Sequence, residues 1–175
     1  MSKIVSELIA FNYARDHFRI VQVFRPHNVY GPNMGWKHVV PQFVLRALDC
    51  AERQDPHFAI QGDGSETRAF AYVDDVVDGI LTMYARGTHR EVYHIGNDDV
   101  ACTAHLARIT GALVEQELTI VGGEGAVGGT PRRCPDIQKM RRLGYNPTIS
   151  LEEGLRRTVS WYKANRDMTH ENALM

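Results

Sequence analysis

The chain is predicted to be an α/β domain, because short β-branched runs alternate along it with longer amphipathic segments and the two are separated by Gly- and Pro-punctuated loops. Its 175 residues, 43% of them hydrophobic, suffice for one domain with its own core. Twenty Lys and Arg against 21 Asp and Glu give a formal net charge of -1, so no global field draws it to nucleic acid or an anionic membrane. Cys50, Cys102 and Cys134 are odd in number and far apart, the pattern of reduced thiols in a cytoplasmic protein rather than of a disulfide framework or zinc knuckle. No apolar run approaches the roughly 18 residues of a membrane span, and a soluble protein is expected.

Residues 2–16 place Ile4, Val5, Leu8, Ile9, Phe11 and Tyr13 at helical spacing, on an apolar surface wide enough to need partners. Residues 19–24 form a short β-branched run ending at Arg25-Pro26, a buried strand. A Gly- and Pro-punctuated loop follows over 27–35, then a helix over 39–52 that tolerates Pro41 in its first turn. Residues 58–60 read as a strand, 61–68 as a polar loop and 69–73 as a strand. Asp74 or Asp75 is placed to cap a helix over 76–86. Another strand is expected over 92–96, a helix over 103–114 and a strand over 117–121. A glycine-rich linker over 122–130 precedes helices at 136–143 and 151–163, and 166–175 reads as a flexible tail.

The spacing Gly122-x-x-Gly125-x-x-Gly128 matches a dinucleotide fingerprint on paper. A pyrophosphate site needs those glycines to open directly into a helix, and here they run into Thr130-Pro131-Arg132-Arg133-Cys134-Pro135, so a linker is the better reading. His27, His38 and His94 lack metal-ligand spacing, and no metal site is expected. The doublets Arg141-Arg142 and Arg156-Arg157 read as solvated helix faces. Arg25, Asn28, Tyr30 and Arg68 stand at strand ends or in loops beside Gly and Pro, where a ligand can approach the backbone. Asn28 can donate an amide hydrogen bond to a phosphate oxygen, and Arg68 can offer a two-pronged fork to the same group or to a neighbouring carboxylate; spacing alone leaves both open.

Five blocks in order give the chain a resemblance. Arg25-Pro26-His27-Asn28-Val29-Tyr30-Gly31-Pro32 is followed by Gly62-Asp63-Gly64-Ser65-Glu66-Thr67-Arg68-Ala69-Phe70-Ala71-Tyr72-Val73-Asp74-Asp75, then Tyr93-His94-Ile95-Gly96. Pro135-Asp136-Ile137-Gln138-Lys139 comes next, and Leu143-Gly144-Tyr145-Asn146-Pro147 leads to Ser150-Leu151-Glu152-Glu153-Gly154-Leu155. Together they resemble the extended short-chain dehydrogenases/reductases of the NAD-dependent nucleotide-sugar epimerase/dehydratase family. The resemblance implies the C-terminal part of a doubly wound NAD(P)-binding Rossmann-like fold plus the small α/β substrate-binding region, over residues 1–165.

The same resemblance assigns roles. Ser2-Lys3 matches the end of the family's Tyr-x-x-Ser-Lys motif, so Lys3 is the implied catalytic and ribose-holding lysine, with the Tyr and the glycine-rich cofactor turn falling before Met1. Pro26 and His27 would border the cofactor, NAD or else NADP, and the sugar. Asn28 and Arg68 would hold the nucleotide diphosphate, with Val39 near the base. His94 stands where many members have Asn, and an imidazole cannot reproduce both amide functions. The linker replaces an Arg and an acid that grip the nucleotide in relatives, so the base is not assigned. The implied function is a nucleotide-sugar epimerase or dehydratase, an isomerase or lyase, without its cofactor-binding half. A non-catalytic nucleotide-sugar-binding module and one half of a split enzyme are the alternatives. Partners implied are a nucleotide-diphosphate sugar and either a second copy docked through the N-terminal helix or a complementing half.

Overall fold

In the computed structural model, which describes residues 2–13, 17–125 and 128–168, helix α1 (Ser2–Tyr13) leads into strand β1 (Gln22–Pro26). β2 (Val29–Tyr30) and α2 (Val39–Arg53) follow, then β3 (His57–Ile60), β4 (Thr67–Ala69), β5 (Ala71–Tyr72) and α3 (Val73–Arg86). The rest comprises β6 (Glu91–Ile95), β7 (Val100–Cys102), α4 (Thr103–Leu113), β8 (Thr119–Gly122), β9 (Arg132–Arg133), α5 (Gln138–Arg141) and α6 (Leu151–Ala164). This is the predicted α/β architecture, with most strand pairs parallel: β1 with β6, β2 with β5 and β3 with β8. β4 lies between antiparallel β7 and parallel β9. Among the described residues, β1 pairs only with β6. The tail expected over 166–175 lies outside the described residues from 169 onward; at its start Arg166 pairs with Asp49 and Glu52 on α2.

Two cores divide the molecule. In the first, α2, α4 and α6 pack around β3: Val44 and Ala47 of α2, Leu106 of α4, and Leu155 and Tyr162 of α6 are fully buried with Phe58. The polar faces of α2 and α6 carry their charged residues, as 3.6-residue periodicity requires. Gly154 sits inside α6 because a side chain there would begin 2.1 Å from the Tyr30 hydroxyl. The Tyr30 ring makes edge contacts with Phe70 and Tyr72. In the second core, α3 and α5 cover β6 through Val76, Met83, Tyr93, Ile95, Ile137 and Met140. α1 buries no residue, and Ile4, Leu8 and Ile9 are each more than half exposed.

Several expectations are corrected. α3 starts at Val73, three residues early, and its N-cap position, Tyr72, makes no side-chain cap bond. Asp75 is not a cap: its buried carboxylate accepts from the Thr148 and Ile149 amides at 2.9 and 3.0 Å, because buried backbone N–H groups require acceptors. Strands β7 and β9 appear where none was expected, each held by pairing with β4. The arginine doublets also do more than face solvent, since Arg141 pairs with Asp98, and Arg157 joins Glu153 to Asp74 across α6 and α3.

Candidate functional site

A cavity of about 840 Å³ opens between α2, the 61–66 loop and the glycine-rich segment ahead of β9. Lys37, Val39, Gln42, Phe43 and Arg46 line one side, and Gln61, Gly62, Asp63, Ser65, Glu66, Arg68 and Phe70 the other. The 61–66 loop holds its turn through the Asp63 carboxylate, which accepts from the Ser65 amide and hydroxyl at 2.8 and 2.6 Å. Those bonds hold the Asp63 carboxyl below the usual carboxylate range. Arg46 lies 4.3 Å over the Phe58 ring and donates to the Ala59 carbonyl, so its guanidinium is steadied beside the cavity. Arg68 donates to the carbonyls of Thr67 and Pro131 at 2.8 and 3.4 Å, not to a neighbouring carboxylate. Glu66 Oε2 is a buried side-chain oxygen without a hydrogen-bond partner.

Asn28 joins this wall from behind. Its backbone is left-handed, φ +42°, a conformation asparagine tolerates better than most residues. Its side-chain amide donates to the Ala69 carbonyl at 2.8 Å, and its own carbonyl accepts from Ala71 at 3.2 Å. Asn28 therefore fixes the strand position next to Arg68, and its donor is directed at Ala69.

The remaining candidates gather at the carboxyl ends of β1 and β6, where doubly wound sheets hold ligands. Arg25 and Pro26 are in register with His94 and Ile95, and the His27 amide donates to the Ile95 carbonyl at 3.0 Å. This brings His27 Nε2 within 2.6 Å of His94 Nδ1. Burial is the main cause holding both imidazoles below the ordinary histidine pKa; at His27 the His94 ring adds most to it, and at His94 the Arg25 charge. Arg25 forks onto Glu7 of α1 at 2.9 and 2.6 Å. Lys3 stands on exposed α1, one turn before Glu7.

The structure thus puts Val39 and Arg68 on one cavity and pairs His27 with His94, whereas Lys3, Pro26, His27, Asn28 and His94 do not line that cavity. Sequence reasoning missed Lys37, Arg46 and Glu66. The signal available was the pair of cations flanking the N-terminal half of an amphipathic helix opposite a glycine-rich loop. Among the described residues, no group of three or more His, Cys, Asp or Glu could hold a metal, and no helix is long and apolar enough to cross a membrane.

A dinucleotide pyrophosphate calls for a glycine turn that opens a helix. Gly122 instead closes β8, Gly128 has a left-handed φ of +74°, and the element after it is strand β9. This glycine run does not fit such a group.

A model of the NAD dependent epimerase/dehydratase family matches residues 1–96. GDP-mannose 3,5-epimerase 1 of Oryza sativa subsp. indica is 30% identical over 163 residues, covering 93% of this chain and 43% of that protein. A crystal structure of dTDP-glucose 4,6-dehydratase from Streptomyces venezuelae with NAD bound superposes with a TM-score of 0.79 at 32% identity, covering 95% of this chain and 51% of that one. UDP-glucose 4-epimerase from Thermotoga maritima with UDP-glucose gives a TM-score of 0.81 at 30% identity, with 94% and 53% covered. The chain therefore spans about half the length of these relatives or less.

Proposed function

The chain belongs to the NAD dependent epimerase/dehydratase family, and from that premise we propose that it is the nucleotide-sugar-binding part of an enzyme that epimerises or dehydrates a sugar carried on a nucleoside diphosphate. The observation that carries this reading is the cavity into which Lys37, Arg46 and Arg68 converge in a protein of net charge -1. Three cations facing one cavity from its two sides, against the two carboxylates Asp63 and Glu66, suit a diphosphate, and the volume falls in the range of roughly 300–1,000 Å³ typical of small-molecule sites. The relatives' names supply the sugar-nucleotide class while differing in the base, GDP, dTDP or UDP.

In this reading Arg68 binds the diphosphate with Asn28 buttressing its strand, and Val39 and Phe43 lie toward the base. Lys3, Pro26 and His27 meet the nicotinamide end of NAD or NADP, whose pyrophosphate is held by a dinucleotide-binding part outside these residues. The apolar surface of α1 serves a partner, either a second copy or that complementing part, in the cytoplasm. A second reading, a binding module without chemistry of its own, draws on the glycine run that opens no helix.

Titration calorimetry of the chain with GDP-, UDP- and dTDP-sugars and with NAD tests the division. Sugar-nucleotide binding that Arg68→Ala weakens roughly tenfold to a hundredfold, the worth of a charged hydrogen bond, supports it. Tight NAD binding by this chain alone, or binding indifferent to Arg68→Ala, overturns it. Sugar turnover on adding a dinucleotide-binding part separates half of an enzyme from a binding module.

A further inference from the structure

Glu66 carries the unmet acceptor of the cavity. Two carboxylates line it. Asp63 is occupied by the Ser65 amide and hydroxyl, whereas Glu66 Oε2 is buried and accepts no hydrogen bond among the described residues. A buried acceptor left unpaired costs free energy that a donor restores. The backbone beneath it is fixed, since the Thr103 amide and hydroxyl donate to the Glu66 carbonyl at 3.0 and 3.2 Å. Gly62, at a left-handed φ of +74°, closes over the carboxyl, and a side chain there would collide with Oε1. Glu66 as a whole is only half-buried, and rotation about its side-chain bonds turns the carboxylate from under Gly62 into the cavity.

Its place relative to Arg68 is set by the strand. Glu66 immediately precedes β4, Arg68 is the second residue of that strand, and both line the cavity. Residues two apart on an extended chain share a face, about 7 Å from one another. With a diphosphate on Arg68, Glu66 stands one step further along the ligand, toward its base. On the facing wall Val39, Phe43 and Arg46 recur at i, i+4 and i+7 of α2, which is one face of a helix. The Arg46 guanidinium rests over the Phe58 ring and donates to the Ala59 carbonyl. That bond leaves most of its five N–H donors for a ligand.

A carboxylate opposite an arginine fork discriminates between bases. Guanine presents O6 and N7 as adjacent acceptors, and N1–H with the 2-amino group as adjacent donors on the neighbouring edge. Uracil and thymine carry a single N3–H between two carbonyls, one of which would face the carboxylate. Adenine sets a 6-amino donor beside N7, and that donor opposes the guanidinium. We propose that the cavity selects guanine, with Glu66 accepting from N1–H and the 2-amino group and Arg46 donating to O6 and N7. This rests on the nucleotide-sugar reading above and narrows the substrate to a sugar carried on guanosine diphosphate.

Titration calorimetry of the full chain with GDP, UDP, dTDP and inosine diphosphate isolates the base, because all four carry the same diphosphate. Inosine diphosphate keeps O6, N7 and N1–H and lacks the 2-amino group, and 7-deaza-GDP lacks N7. GDP is expected to bind roughly five- to a hundredfold more tightly than UDP or dTDP, the discrimination of a two-pronged contact, with inosine diphosphate and 7-deaza-GDP in between. In Glu66→Gln, whose amide offers one acceptor and a donor, GDP falls to the level of inosine diphosphate while UDP and dTDP bind as before. The guanine assignment is overturned, with the nucleotide-sugar reading left standing, by equal affinity for GDP, UDP and dTDP. Inosine diphosphate or 7-deaza-GDP binding as tightly as GDP overturns it too, as does a Glu66→Gln loss shared by every base. No binding of any of these diphosphates removes the nucleotide-sugar reading and the base with it.

Discussion

Asp75, in the first turn of α3, holds the backbone amide of Thr148 at 2.9 Å although 73 residues separate them. Its second oxygen takes the Ile149 amide at 3.0 Å, and the Thr148 hydroxyl adds a longer bond of 3.3 Å. One buried carboxylate thereby fastens the segment before α6 to the start of α3, joining the two cores. Asp75→Ala leaves two part-buried amides without their acceptor. It is expected to cost about 2–3 kcal/mol, from the lower end of the roughly 1–3 kcal/mol for each orphaned group because neither is fully buried. Asp75→Asn, which keeps one acceptor oxygen, should cost less. Urea unfolding checks both, and equal losses would show that charge rather than acceptor number matters.

Gly154 and Tyr30 test packing between α6 and the strand layer. A β-carbon at 154 would lie 2.1 Å from the Tyr30 hydroxyl and 2.8 Å from the Tyr72 ring. Overpacking of this kind costs about 1–3 kcal/mol, which outweighs the gain in helix propensity of up to roughly 1 kcal/mol. Gly154→Ala is therefore expected to lower the melting temperature. Tyr30→Phe removes the nearest atom, so the double variant should lose less than the two single losses combined. A thermal melt of the four proteins measures that coupling, and simple additivity would place the clash elsewhere.

The long amphipathic helices could be read from the sequence because their spacing is local: the helix expected over 39–52 is α2 (Val39–Arg53), and that over 151–163 is α6 (Leu151–Ala164). β7 and β9, three and two residues long, carry no periodicity of their own and exist only because β4 lies between them. Asp75 looked like a cap because a carboxylate ahead of an apolar helical run usually is one, and its true acceptor role depends on Thr148 folding back onto it. The site divides in the same way. Arg68 stands out beside its glycines and does line the cavity, Asn28 stands out in the same way but does not line it, and Lys37 and Arg46 gain meaning only when α2 packs beside the 61–66 loop. His27 and His94, 67 residues apart, meet solely through parallel register.

The Glu7 and Arg25 fork ties α1 to β1 and predicts a pH dependence. Hydrogen bonding to Arg25 is the main cause lowering the Glu7 pKa from its ordinary value of 4.5. A depressed folded-state pKa gives a stabilisation that is complete above the ordinary value and is lost as pH falls through the depressed one. α1 should therefore stay docked at neutral pH and loosen only in acid below about pH 4.5, or sooner in high salt, because both partners are exposed. Amide hydrogen exchange across 2–13 reads this, and Glu7→Gln should remove the acid dependence. Exchange in α1 that ignores both pH and Glu7→Gln would mean that the fork does not hold the helix.

The outer faces of α1 and α3 set the last prediction. Ile4, Leu8 and Ile9 are exposed on α1, and Val77, Leu81 and Tyr84 recur on α3 at helical spacing, Tyr84 being 77% exposed. Between these helices in the chain lies β1, whose pairing among the described residues is with β6 alone and whose Phe24 is also exposed. Exposed apolar helix faces and a strand edge unpaired among the described residues favour association, so the chain is expected to self-associate as its concentration rises in light scattering. Leu8→Lys and Leu81→Lys distinguish the two faces, since each side chain is more than half exposed and its replacement should change the melting temperature little. If Leu8→Lys alone restores a monomer, α1 is the contact; if only Leu81→Lys does, it is α3. A monomer at every concentration in the unaltered chain would show that neither face drives assembly.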